Sequence, residues 1–217
     1  TLFPYTTLFR SPPSPPPFAR SEPARAIRLC RSRRPRLAVT RSAARDDKPM
    51  TTDIPTISTA RLTLRPQAID DFPAYLAFLA SPRSAGMGGP FDVRAAWGMF
   101  CHDLACWRLF GHGALMIELT ASKQCIGQVG INHGPLFPEQ ELGWLLYDGH
   151  EGHGYATEAA RALRDWAFAT LKLSTLVSYM APDNAMSAAV AKRLGGVLDP
   201  SAPREDPDDL VYRYRVR

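Results

Sequence analysis

"YDGHEGHGYATEAARALRDWAF", residues 147–168, places Gly149, Gly152 and Gly154 within six positions and then runs as a clean helical pattern. Ala156, Ala159, Ala160, Leu163 and Ala167 recur at helical spacing, a stripe of small side chains that permits close packing on a sheet. The first backbone N–H groups of a helix are unpaired and carry roughly half a positive charge. Glycines just before them let the main chain turn sharply and approach a ligand with no Cβ in the way. The corner therefore suits an anion such as a pyrophosphate, or equally a tight strand-to-helix turn with no ligand, and glycine content leaves both readings open.

Working outward, "ELGWLLY" (141–147), "CIGQVGI" (125–131) and "ALMIEL" (114–119) read as three strands in quick succession. Their short polar or Gly/Pro-containing links predict an antiparallel meander. Further upstream, "ARLTLRP" (60–66) alternates Leu62 and Leu64 with Arg61, Thr63 and Arg65, the period of a half-buried strand. Asp70 or Asp71 is expected to cap a helix carrying Phe72, Tyr75, Leu76 and Leu79, stopped near Pro82. Asp92 opens a second helix whose Val93, Ala96, Trp97, Phe100, Leu104 and Trp107 read as core. Downstream come a strand "STLVSYM" (174–180), a helix from Asn184 to Leu194 and a final strand "DLVYRYRVR" (209–217). The order β-α-α-β-β-β-α-β-α-β predicts a single α+β domain over residues 50–217, without internal repeats.

That arrangement excludes the standard phosphate folds. No GxxxxGK[ST] is present, so no lysine and hydroxyl serve a triphosphate and magnesium. The glycine corner also follows a meander, where the first turn of a Rossmann unit would not lie. His150 and His153 have HxxH spacing, but no thiol or carboxylate is arranged to complete a zinc site, and no metal is expected. Cys30, Cys101, Cys106 and Cys125 form no CxxC pair, which favours reduced thiols in a cytoplasmic protein.

Charge is unevenly spread. Residues 1–49 hold eleven of the 26 Lys and Arg but three of the 21 Asp and Glu, so the remainder of the chain is net acidic. The basic balance gives no reason to expect nucleic acid on the folded part, and no apolar run is long enough to predict a membrane span. The same 49 residues carry nine of the 20 prolines, including "PPSPPP", and have the composition of a disordered segment. Residues 1–11, "TLFPYTTLFRS", look like a translated sequencing adapter, and the rest up to Met50 resembles upstream DNA read in frame. An organelle transit peptide and a nucleic-acid-binding arm are the other readings of this stretch. The expected natural start is Met50.

The strand, the loop "DGHEGHGYA", the helix, the next strand and "NAMSAAVAKRLGG" together resemble the GNAT superfamily of N-acetyltransferases. Within it they resemble the branch of the ribosomal-protein N-terminal acetyltransferases, over about residues 57–216. The resemblance implies a mixed, mostly antiparallel sheet with helices on both faces and two splayed strands forming a cleft for acetyl-CoA. It implies acetyl transfer to a primary amine, either a protein N-terminus or a small molecule, by a monomer or homodimer. A coenzyme A-binding regulatory or degenerate module is the alternative. The family's loop, Q/R-x-x-G-x-G/A, falls on Glu151, Gly152, His153, Gly154, Tyr155 and Ala156, where Glu151 departs from Gln/Arg.

By the same resemblance, pyrophosphate would be held by Glu151 to Thr157. The pantetheine arm would lie between Leu145, Leu146 and Tyr147 on one strand and "STLVSYM" on the other, with Asn184 and Ser187 along it. Asn184 also reads as a plain helix cap. The Leu146 N–H would steady the oxyanion of the attacked thioester. Glu141 is the candidate base that deprotonates the amine, or else a solvent-facing strand carboxylate, with Glu139, Glu118 and His133 as weaker substitutes. Relatives often carry a tyrosine acid where this chain has Ala191, so Tyr179 or Tyr147 would have to stand in, or water would serve. The acceptor pocket would be built from the early helices, around 84–91 and 97–107, with "SAGMGGPF" (84–91) as a mobile lid.

Overall fold

The computed structural model describes residues 53–216. The readings made above for residues 1–49, for Met50 as a start and for Cys30 lie outside the described residues. Eight strands form one sheet: β1 (Ile57–Ser58), β2 (Leu62–Arg65), β3 (Ala114–Leu119), β4 (Cys125–Asn132), β5 (Glu141–Leu146), β6 (Thr175–Met180), β7 (Val197–Leu198) and β8 (Leu210–Arg215). Their spatial order is β1-β2-β3-β4-β5-β6-β8-β7. All neighbours are antiparallel except β5 and β6. The predicted meander is β3-β4-β5. The two-residue strands β1 and β7 were too short to carry a legible alternation.

Four α-helices cover the sheet: α1 (Phe72–Leu79), α2 (Val93–Phe110), α3 (Tyr155–Trp166) and α4 (Ala185–Arg193). Side chains alternate along β5, so Leu142 packs with Ala159, Ala160 and Leu163 of α3, while Leu145 packs with Tyr75, Leu79, Met99 and Phe100 of α1 and α2. Burying the whole Leu163 side chain contributes about 1.5–3 kcal/mol, and the alanines beside it let α3 approach closely enough to do so. Helices thus lie on both faces, as expected for an α+β layer structure.

Three local expectations are corrected. Asp71 does not cap α1 with its side chain; its carboxylate instead takes a two-pronged contact from Arg65, at 2.8 and 2.7 Å. The same carboxylate accepts the Ala68 N–H at 2.8 Å, so it caps the short turn that precedes α1 and not α1 itself. Val93 and Trp97 are 59 and 44 % exposed rather than core, and Trp97 rests its ring on Phe72 and Phe100. The glycine-rich connection after α1 is a packed turn, not an open lid. Over Pro82–Met87 it forms a 3-10 turn with Ser84 and Met87 buried, the Ser84 hydroxyl donating to the Leu79 carbonyl at 2.7 Å, and it ends at a cis Gly89–Pro90 bond. Asp92 does cap α2 as read, accepting from the Ala95 N–H at 2.8 Å. Among the described residues no helix is long and apolar enough to cross a membrane.

Candidate active site

β5 and β6 share one bridge, Glu141 opposite Val177, and then part. The Val177 N–H donates to the Gln140 carbonyl at 3.0 Å, but the Leu142 carbonyl, which a further rung would use, accepts the Ser178 hydroxyl instead. On its other edge β5 stays paired with β4 as far as the Tyr147 N–H, which donates to the Ile126 carbonyl at 2.8 Å. In an antiparallel ladder successive residues point their N–H groups to opposite edges. With Tyr147 bonded toward β4, the N–H groups of Leu146 and Trp144 face the gap beside β6.

The glycine loop closes the open end of this gap. Gly149, Gly152 and Gly154 have φ of 81, 79 and 81°, a region that side-chain-bearing residues rarely adopt, so the glycines are needed for the turn itself. A Cβ at Gly149 or Gly152 would meet nothing within 4 Å, and one at Gly154 would meet only the Arg61 guanidinium, at 3.6 Å. The loop therefore presents bare main chain to open space. Gly154 is the N-cap of α3 without any side-chain cap, so the first N–H groups of that helix point outward. An anionic, extended ligand fits such a cradle.

The predicted loop residues sit as follows. Gly152, His153 and Gly154 are exposed, Tyr155 and Ala156 are half-buried, and Thr157 is buried in the first turn of α3. His153 stacks on Tyr155 at 5.5 Å, whereas His150 turns to Gln124. Glu151 is paired with Arg83, which also lies 3.6 Å from Asp148. Asn184 caps α4, its side-chain oxygen accepting from the Ser187 N–H at 3.0 Å, which leaves its amide hydrogens for another partner.

Glu141 is not the solvent-facing carboxylate that a strand end suggests: it is fully buried, on the face that carries α1 and α2. Burial pushes its carboxyl up to about 8, partly offset by the Asn132 amide and the Tyr179 main-chain N–H nearby. Neither of its oxygens makes a hydrogen bond of normal geometry. Tyr179 shares this environment; its buried hydroxyl makes no hydrogen bond of normal geometry, and burial raises its pKa, with Glu139 and Glu141 adding to the effect. Ala191 is fully buried in the α3–α4 core, so no hydroxyl approaches from that helix position. Ala191 offers no acid, and Tyr147, whose buried hydroxyl makes no hydrogen bond of normal geometry, packs at a tilt against the ring of Phe78 at 6.2 Å.

Three site residues escaped sequence reasoning. Asp209, buried just before β8, has its carboxyl pushed up to about 6 by burial and the neighbouring Asp206, and it bears on Glu141. Arg61 looked like the polar side of a strand, yet its Nε donates to Glu158 at 2.7 Å and its Nη1 to the His153 carbonyl at 3.1 Å. Its guanidinium also stacks on Tyr155 at 4.7 Å, which places a cation beside the mouth of α3. Arg83 is the third. Nothing in a local window signals such contacts, since Arg61 and Glu158 are 97 residues apart. Among the described residues no cluster of His, Cys, Asp and Glu could hold a metal ion.

This arrangement agrees with the comparisons. Residues 61–197 match the family model of the acetyltransferase (GNAT) domain, and the chain belongs to that family. By class it is an acetyltransferase (GNAT) domain. A crystal structure of an acetyltransferase from Agrobacterium tumefaciens is similar at 70 % identity with a TM-score of 0.74, covering 75 % of this chain and 95 % of that one. RimL, a ribosomal L7/L12 alpha-N-protein acetyltransferase solved in complex with coenzyme A, shares the fold. Its TM-score is 0.60 at 18 % identity, with 75 % of this chain and 98 % of that one covered. An uncharacterised N-acetyltransferase of Bacillus subtilis, YnaD, is 33 % identical over 55 residues, which is 25 % of this chain and 32 % of that protein. The chain thus spans about a third of this curated relative's length.

Proposed function

We propose that the domain, taken as residues 50–217, transfers the acetyl group of acetyl-CoA to a primary amine by direct attack. The observation that carries this reading is the parting of β5 from β6 after one bridge, with bare glycine main chain at the open end. Acetyl-CoA, when bound, supplies an acyl group already activated as a thioester. Gly152, Gly154 and the first turn of α3, from Tyr155 to Thr157, would hold its diphosphate. Leu145, Leu146 and Tyr147 would flank its pantetheine arm, with the free amide hydrogens of Asn184 and the Ser187 side chain alongside. The Leu146 N–H, turned into the gap, would hold the thioester oxygen.

Glu141 is the proposed base. A carboxyl near 8 is a poor base in acid and a matched one at slightly alkaline pH, where amines also begin to lose their proton. Tyr179, beside it, would return a proton to the departing thiolate. Direct transfer is favoured over a cysteine-bound acyl group because burial raises the thiols of Cys106 and Cys125 to about 12 and about 11, far from thiolate formation. The free thiols at Cys101, Cys106 and Cys125 support a cytoplasmic setting. The deciding experiment is thiol release from acetyl-CoA across a panel of small amines and peptide N-termini. Turnover on at least one acceptor supports the reading, and tight coenzyme binding without turnover on any of them overturns it in favour of a binding module.

A further inference from the structure

The diphosphate reading of the glycine loop leaves a charge imbalance. Asp148 and Glu151 both lie on that loop, which has no lysine or arginine of its own between Tyr147 and Tyr155. An incoming diphosphate would meet two carboxylates beside the helix mouth, and like charges at such range cost affinity. Arg83 answers this from the turn after α1: its guanidinium sits on Glu151 and lies 3.6 Å from Asp148. It also lies over the Phe78 ring at 5.5 Å, which directs it across α1 toward the loop. The turn beneath it is fixed, because the Ser84 hydroxyl bonds to the Leu79 and Ser81 carbonyls at 2.7 and 2.9 Å. The guanidinium, with a third of its side chain exposed, is the part free to change partners.

We propose that Arg83 is the cation of the diphosphate site, held by Asp148 and Glu151 until the ligand arrives and then turned to its phosphoryl oxygens. This rests on the function proposed above and assigns a residue that the family's loop pattern does not contain. The planar fork of arginine matches two phosphoryl oxygens at once, and it releases a carboxylate without losing its charge. Arg61, the other cation beside the loop, is less suited to such an exchange, since Glu158 and the His153 carbonyl already engage all three of its nitrogens. Glu151 then acts against binding, in a position where relatives carry Gln or Arg.

The two partners therefore have opposite signs. Losing Arg83 exposes the ligand to two unpaired carboxylates, whereas losing the Glu151 charge frees the guanidinium and removes a repulsion. A contact that merely braces the loop would make both losses weaken binding. The test is calorimetric titration of coenzyme A into the full chain and its Arg83→Gln, Glu151→Gln and doubly substituted forms, at low and raised salt, with thermal unfolding of each free protein. Arg83→Gln is expected to weaken binding about tenfold and flatten its salt dependence, and Glu151→Gln to tighten it severalfold. Melting temperatures should stay close together, as an exposed pair contributes little. Unchanged affinity in Arg83→Gln, or weaker affinity in Glu151→Gln, overturns the proposal while leaving the function standing. No binding by the unaltered protein overturns both.

Discussion

The Ser178 hydroxyl donates to the Leu142 carbonyl at 2.5 Å, one residue past the single bridge between β5 and β6. It in turn accepts the Tyr214 hydroxyl at 3.1 Å, deep in the core. A side chain thus satisfies the carbonyl that a continuing ladder would have used, and the strands separate without leaving it orphaned. Ser178→Ala should remove the partner of both groups and cost about 1–3 kcal/mol, read from the midpoint of denaturant unfolding. Unaltered stability would mean that water replaces the hydroxyl.

Glu141 makes a pH-dependent prediction of definite sign. Its folded carboxyl titrates near 8 against an ordinary value of 4.5, so between those limits the unfolded chain loses a proton that the folded chain keeps. Stability falls with rising pH across that window, and the cost is complete above about 8. Glu141→Gln, a neutral match for the protonated acid, should equal the unaltered protein near pH 4.5 and exceed it in melting temperature at pH 8. The same change should depress turnover and abolish its rise through the same alkaline range, with coenzyme A affinity nearly intact. A parallel pH–rate profile in the variant would assign the proton to another group.

Gly154 needs a control, because its φ of 81° makes any side chain there strained as well as obstructive. Gly111 ends α2 with a φ of 74° and open space around it, far along the chain from the loop. Valine at either position should cost stability, by about 1–2 kcal/mol from the left-handed backbone. Gly154→Val alone should also weaken coenzyme A at least about tenfold, by blocking the approach of a phosphate to the main chain. Equal affinities in the two variants would remove the loop from the binding site.

Asn184 can be split into its two roles. Aspartate accepts the Ser187 N–H as well as asparagine does, so Asn184→Asp keeps the cap of α4 and its stability. It lacks amide hydrogens and adds a negative charge. Coenzyme A should bind about tenfold more weakly to it, with the melting temperature held. Asn184→Ala should lose both, with about 1 kcal/mol of stability gone. Full affinity in the aspartate variant would leave capping as the whole role.

What could be read in advance depended on how local the cause was. The strands of the meander and the stripe of α3 announce themselves because alternation and three-to-four spacing are properties of neighbouring residues. Gly149, Gly152 and Gly154 were legible for the same reason, as each turns its own backbone. The setting of Glu141 was not, since its neighbours Asn132, Tyr179 and Asp209 come from across the ladder, from the next strand and from just before β8. The charges that balance the loop were also invisible, because Arg61 and Arg83 arrive from distant elements. A local departure such as Glu151 could be seen, but not the guanidinium that faces it.

Glu158 carries the last prediction, since it ties the start of the sheet to the mouth of α3. Its Oε1 accepts from the Thr59 hydroxyl at 2.6 Å and the Arg61 N–H at 3.0 Å, and its Oε2 accepts from Arg61 Nε at 2.7 Å. Burial opposes its ionisation, but these bonds outweigh it and hold the carboxyl below its ordinary value of 4.5. A carboxylate depressed in this way stabilises the fold above its unfolded pKa, and the gain is lost as pH falls through the folded one. Glu158→Gln should therefore cost about 1–3 kcal/mol at neutral pH, with the deficit shrinking as the pH is taken below 4.5. A deficit that persists unchanged in acid would show that the side chain acts through packing, not through its charge.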